Sequence, residues 1–209
     1  MSQYFKIHPE TPQVRLIRQV AAIARSSGVI VYPTDSGYAL GCQIGDKAAL
    51  GRICQIRNLD TKHNFTLICR DLSEVGIYAV FDTPVFRLLR ANTPGPYTFI
   101  LRASREVPRR LMHPRRKTIG IRIPNHPIAQ ALLAEMGEPM LTTTLILPGD
   151  DQPMNDPTRI RDRLKKDVDL IIDGGFGGLV PTTMVDFLEG VPRVARQGKG
   201  DSAPFAQPE

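Results

Sequence analysis

Apolar positions follow two rhythms along the chain. Leu16, Ile17, Val20, Ile23 and Ala24 fall three and four residues apart, which predicts a helix ending near Ser26 and stopped by Gly28. Thr11 and Pro12 suit its N-cap and first helical position. Val29–Tyr32 is a β-favouring run and reads as a short buried strand. Pro33 has no N–H and is expected to end that ladder. Asp46 opens a second helix, with Ala49, Leu50, Ile53 and Cys54 inward, running to about Arg57. Asn58–Asn64 is polar and reads as a mobile loop. Phe65–Cys69 reads as a strand. Asp71 and then Asp82 cap two further helices, the second carrying Val85, Phe86, Leu88 and Leu89. After the hard turn Thr93–Pro96, Tyr97–Arg102 and the alternating Thr118–Ile123 predict strands, the latter with one face buried. Asn125 and Pro127 open a helix that Gly137 closes. Met140–Leu147 is a strand, and Asp156-Pro157 begins a charged helix with Ile160 and Leu164 inward. Val168–Ile172, Thr183–Phe187 and Val191–Ala195 are the last strands. Tyr4–Ile7 has the composition of an edge strand, and the tail from Lys199 that of a frayed end.

Strands alternating with helices, then strands without helices between them, predict a single α/β domain over 1–209 with a mixed parallel and antiparallel sheet. The motif-bearing core spans about 10–200. No repeat or long linker divides it. Residues 28–41 stand out: an apolar strand gives way to Thr34, Asp35, Ser36 and Tyr38, with Gly37 and Gly41 allowing tight backbone. Such clusters sit over sheet ends, where open α/β sheets bind ligands; the same residues also suit an ordinary turn. Gly174–Gly178 lacks dinucleotide-binding spacing and reads as a turn. Threonines 142, 143 and 144 need no more than strand propensity to explain them.

Composition narrows the function. No run approaches the roughly 18 apolar residues of a membrane span, and the first residues lack a secretory signal's apolar stretch. Three scattered cysteines, Cys42, Cys54 and Cys69, give no metal spacing and suit a reducing cytoplasm. His63, His113 and His126 are far apart and make no convincing acid–base pair. The net charge is +6, and residues 102–117 alone carry seven basic groups against Glu106. Arg109, Arg110, Arg115, Arg116 and Lys117 are therefore candidates for RNA phosphate contacts. No aromatic interrupts the stretch, which favours shape recognition over single-strand stacking. That reading gains if these side chains share a face with Arg122. With no nucleophile elbow, zinc cluster or Walker loop, the remaining chemistry is Arg, Lys, Ser and Thr around a polyphosphate.

Six segments together resemble the YrdC-like superfamily, and within it the YciO branch. They are Val31–Leu40, Arg57 in place of the Arg of Lys-x-Arg, Thr93–Thr98, Gly120–Pro127, Pro181–Asp186 and Arg193–Gly198. The resemblance implies a twisted sheet of the YrdC/RibB type, helices on its convex side and a basic concave face. Its characterised enzymes are L-threonylcarbamoyladenylate synthases. These use L-threonine, bicarbonate and ATP with Mg2+, release pyrophosphate, and supply the threonylcarbamoyl modification at adenosine 37 of tRNAs. Binding of tRNA or double-stranded RNA is also described for the family. The resemblance places Thr34, Tyr38 and Arg122 near substrate, and Arg57, Thr142, Thr183 and Arg196 near nucleotide phosphates.

The chain departs from the family pattern at Gln55, where Lys-x-Arg has its lysine, at Leu145, where Ser-x-Asn has its amide, and at Ala39. A lost charge and a lost amide would weaken a closed synthase site by on the order of 2 kcal/mol each. The resemblance therefore implies an RNA- and nucleotide-binding protein with weak adenylation activity, or else a full synthase. Neither the small acid nor the oligomeric state is legible in the sequence.

Overall fold

The predicted strands pair into one sheet. The structure is a computed structural model that describes residues 2–60, 63 and 65–206. Positions 61, 62 and 64 of the expected mobile loop, and 207–209 of the tail, lie outside the described residues. The strands are β1 (Gln3–Lys6), β2 (Ile30–Thr34), β3 (Gly37–Gln43), β4 (Thr66–Ile68), β5 (Ala79–Val80), β6 (Tyr97–Ala103), β7 (Thr118–Arg122), β8 (Met140–Thr144), β9 (Leu170–Asp173), β10 (Thr183–Asp186) and β11 (Arg193–Arg196). They run in the order β1-β9-β2-β3-β8-β4-β7-β6-β10-β11, with β5 beside β6. The pairs β1–β9, β2–β9, β4–β7 and β6–β10 are parallel and the others antiparallel, so the sheet is mixed as expected.

Helices cover both faces. On one, α2 (Lys47–Arg57), α3 (Leu72–Tyr78), α4 (Thr83–Asn92) and α6 (Pro157–Leu164) bury Ile53, Val75, Leu89 and Ile160 against Val31, Leu67, Phe99 and Ile121. On the other, α1 (Val14–Arg25) and α5 (Pro127–Met136) bury Val20, Ala24, Ile128 and Leu132 against Ile30, Tyr32, Ile68 and Ile172. These two helices do not reach β6, β7 and the end of β8, and polar residues stand there at the alternate positions. Helices α2, α3, α4 and α6 begin at Asp46, Asp71, Asp82 and Asp156. Each aspartate accepts a backbone N–H two or three residues on, at 2.9 to 3.0 Å.

Four expectations need correction. Pro33 does not end the ladder, because β2 runs on to Thr34 and returns as β3, with Pro33 opposite Tyr38. β9 pairs with β2 only at Ile30 and Val31, so Pro33 has one neighbouring strand and its missing N–H is tolerated as on an edge. Helix α1 begins at Gln13, without a side-chain cap, and the Thr11 hydroxyl instead meets His8 Nδ1 at 3.0 Å. β7 is buried on both faces, since Thr118 and Arg122 are covered as well as the isoleucines. The tail is docked as far as it is described. Phe205 is 2% exposed, with its ring 5.5 Å from Tyr97 and 6.1 Å from Phe99, and the Tyr97 hydroxyl donates to Asp201 O at 3.1 Å.

Phe205→Ala is expected to lower unfolding free energy by about 3 kcal/mol, because it empties the centre of an aromatic cluster. Urea denaturation reads the change, and a loss below about 0.5 kcal/mol would show that the tail is not part of the core.

Candidate functional site: an arginine- and threonine-lined cleft

The uncovered part of the second face holds a cleft of about 210 Å³. Strand alternation supplies its floor. Thr66, Thr98, Arg122 and Thr142 have the parity opposite to Leu67, Phe99, Ile121 and Leu141, which face the helix-rich core. Hydroxyls dominate the lining, with Thr34, Ser36, Thr143, Thr144 and Thr182 adding to those four positions. Three guanidinium groups join them, from Arg57, Arg122 and Arg196. No carboxylate is among the described lining residues.

Each arginine is fixed by neighbours. Arg122 lies under the tip of the β2–β3 hairpin, where its Nη2 donates to Thr34 Oγ1 at 3.2 Å and pairs with the Asp35 carboxylate. The other Asp35 oxygen accepts from Asn125 N at 3.1 Å, and Lys199 Nζ donates to the Asp35 carbonyl at 2.6 Å. Arg57 ends α2 and donates to Thr143 Oγ1 at 3.4 Å and to the Thr144 carbonyl. Burial pulls its pKa down from the ordinary arginine value, and does the same for Arg196. Arg196 donates to Thr182 O at 2.9 and 3.2 Å, and the Thr182 hydroxyl lies 2.7 Å from that of Thr98. The Nε–H groups of Arg57 and Arg122 are buried and have no acceptor. Beneath them Tyr32 donates to Thr142 Oγ1 at 2.8 Å, and burial pushes its phenol up to about 12, so it stays a neutral donor.

The structure therefore brings Thr34, Tyr38, Arg122, Arg57, Thr142 and Arg196 to one cleft. Tyr38 forms wall only, because its hydroxyl accepts from Gly174 N at 3.2 Å and donates to Gly175 O at 2.8 Å. Gly37 shows why this wall is glycine on both sides: its φ is +140°, and a Cβ there would sit 2.6 Å from Gly178 O. Thr183 is not in the lining. It is fully buried, donating to Gly200 O at 2.6 Å and accepting from Gly198 N at 3.0 Å, and its neighbour Thr182 faces the cleft. The residues missed are Thr98, Thr143, Thr182 and His63. The threonine run was the available signal, since its members contact Tyr32, Arg57 and His63 in turn.

The basic stretch lies elsewhere. Val107 and Leu111 pin it to the helix-rich core on the opposite face. Arg110 donates to the Gly45 carbonyl, and Arg116 pairs with the buried Asp186. Arg109, Arg115 and Lys117 are exposed, and none of the five lines the cleft. Burial pushes the Asp186 carboxyl upward, but Arg116 and the Leu188 N–H outweigh it and hold the group below its ordinary value. Gln55 is exposed and outside the lining, and Leu145 is buried in the core behind β8.

This fold and its cleft define a YrdC-type α/β protein. The Sua5/YciO/YrdC family model, described as "Telomere recombination", matches residues 22–198, and the chain belongs to that family. It is 60% identical to YciO of Escherichia coli K12 over 205 residues, 98% of this chain and all of that protein. The E. coli YciO crystal structure superposes with a TM-score of 0.94 over 99% of this chain and 100% of that one. A threonylcarbamoyl-AMP synthase of Alkalilimnicola ehrlichii is 33% identical over 154 residues, 74% of this chain and 79% of that enzyme. The Pyrococcus abyssi (P. abyssi) Sua5 structure complexed with L-threonine shares the fold, with a TM-score of 0.86 over 94% of this chain and 58% of that one at 24% identity. Among the described residues no helix is long and apolar enough to cross a membrane, and no group of His, Cys, Asp and Glu is arranged to hold a metal ion.

Leu145→Asn is expected to cost about 3 kcal/mol of stability, because it buries an amide among apolar side chains. Thr144→Asn, exposed at the cleft lip, is expected to change stability by less than about 0.5 kcal/mol. Equal denaturation midpoints for the two variants would show that residue 145 is not part of the core behind β8.

Proposed function

We propose that the cleft binds an adenine nucleotide through its phosphates beside a small carboxylate, and that the chain is an adenylate-forming protein of the threonylcarbamoyl-AMP synthase type. The observation that carries this reading is three guanidinium groups and a ring of hydroxyls facing a cleft without a carboxylate in its described lining. Arginine forks match phosphate and carboxylate oxygens, and hydroxyls add short hydrogen bonds. The 33% identity to a threonylcarbamoyl-AMP synthase supports the same reaction class.

The chemistry asks little of the protein beyond orientation and charge. A carbamate oxygen attacks the α-phosphorus, the bond to the β-phosphate oxygen breaks, and pyrophosphate leaves. In this reading Arg57 and Arg196 meet the phosphates and Arg122 the acid, so that charge developing in the transition state meets fixed donors. Mg2+ fits this site only as a passenger of the nucleotide's phosphates, since the lining offers it no carboxylate.

Arg57→Ala and Arg196→Ala are each expected to weaken ATP binding about tenfold or more, read by isothermal titration at fixed salt. Pyrophosphate release from ATP and bicarbonate is expected to require L-threonine and to vanish in Thr34→Ala/Arg57→Ala. Unchanged ATP affinity in both arginine variants would sink the reading.

A second reading, binding of tRNA or double-stranded RNA, rests on the exposed Arg109, Arg115 and Lys117 alone, and is weakened because they do not line the cleft with Arg122. It uses a surface separate from the cleft. Replacing these three with alanine is expected to lower the slope of log affinity against log salt by about two. A slope equal to that of the wild type would exclude this surface.

A further inference from the structure

His63 has no histidine partner near it in sequence, and the fold brings it to the Arg57 end of the cleft. Its Nε2 lies 3.5 Å from Thr143 Oγ1, the hydroxyl that also receives Arg57 at 3.4 Å. Its ring stands edge-on to Phe65, with centroids 5.0 Å apart and planes at 78°. The imidazole is thus oriented by an aromatic wall, tied to the hydroxyl that holds the arginine, and part of the cleft lining.

We propose that His63 is a ligand-contacting residue that takes up a proton from solvent when a polyphosphate binds beside Arg57, adding a cation to that end of the cleft only when an anion is present. Among the described residues, the charged groups around it are these. Arg57 on α2 faces it and opposes protonation, Asp60 in the following loop favours it, and Arg122 and Arg196 line the same cleft. Burial first, and Arg57 second, hold the free imidazole below its ordinary range, so it is neutral at neutral pH. A bound phosphate reverses the balance, since two or more negative charges beside the ring outweigh the single charge of Arg57. The sign follows: binding raises the His63 pKa, and His63 therefore strengthens anion binding as pH falls through that range. Permanent cations in a dry pocket repel one another in the empty state. A titrating one does so only when it carries a proton.

This inference rests on the cleft being an anion site, and inorganic pyrophosphate is the probe that separates the two. Imidazole NMR titration of the wild-type protein, with the His63 signal assigned by its absence from His63→Gln, is expected to show its pKa rising by about one unit when pyrophosphate saturates the cleft. By linkage, the ratio of wild-type to His63→Gln affinity for pyrophosphate then rises about fivefold or more from pH 8 to pH 5.5, toward a limit of about tenfold below both pKa values. Pyrophosphate that binds while the His63 pKa stays fixed overturns the proposal and leaves the nucleotide reading intact. A His63 response to pyrophosphate in a protein that does not bind ATP supports the proposal and removes the nucleotide reading. No binding of either overturns both.

Discussion

The cleft depends on one buried ion pair. Asp35 and Arg122 each have side chains 8% exposed, and they join the tip of the β2–β3 hairpin to the end of β7. A buried pair gives little net stability when compared with apolar residues, but losing one partner strands the other charge. Its value here is positional. The hairpin tip carries Thr34 and Ser36, and β7 carries Arg122, so the pair sets the distance between two walls of the cleft. The other contacts of Asp35 extend the junction: its second oxygen takes the Asn125 N–H, three residues after Arg122, and its carbonyl takes Lys199 from the segment after β11. Three pieces of chain remote in sequence, the hairpin tip, residues 122–125 and the segment after β11, are thus held at one aspartate.

Once that junction is set, the rest of the site needs few additional devices. The glycine segment after β9 folds against the hairpin because Gly37, Gly177 and Gly178 have no side chains to keep the backbones apart. It then holds the Tyr38 hydroxyl from both sides. The tail packs Gly200 against the Tyr97 ring and accepts the Thr183 hydroxyl at Gly200 O. Thr183 is consumed by this docking, which leaves Thr182 to present its hydroxyl to Thr98 and its carbonyl to Arg196. Both cysteines deepest in the core, Cys42 and Cys69, have thiols that burial pushes far above their ordinary values, and they act as small apolar fillers.

The local aspartate signals in the sequence were reliable, whereas Thr11, expected as a cap on equally local grounds, meets His8 instead. Each aspartate expected as a helix cap does cap, because the bond lies within three residues. The signals failed where a partner lies far away. Pro33 ends a ladder only if the strand has two neighbours there, and pairing over 140 residues decides that it has one. The tail of small and polar residues frays unless something holds it, and what holds it is a ring cluster from β6 and the segment after β10. In the site, motif spacing found the arginines but not their partners. Thr143 and His63 become functional candidates only when β8 lies beside the end of α2, a juxtaposition that no local pattern encodes.

The departures from the family pattern take on a different weight in three dimensions. Leu145 continues the apolar parity behind β8, so the missing amide is not a hole in the cleft wall. The position that presents to the cleft is Thr144, whose carbonyl already receives Arg57. Gln55 sits on the exposed side of α2 and outside the lining, so its lost charge would have acted from the rim. The unpaired charge of the cleft is therefore carried by Arg57 and Arg196, whose guanidinium groups are held by main-chain carbonyls. A carbonyl orients a guanidinium without neutralising it, whereas a carboxylate would do both. The two arginines left without a carboxylate keep their full charge for a ligand, and Arg122, paired with Asp35, contributes geometry more than charge.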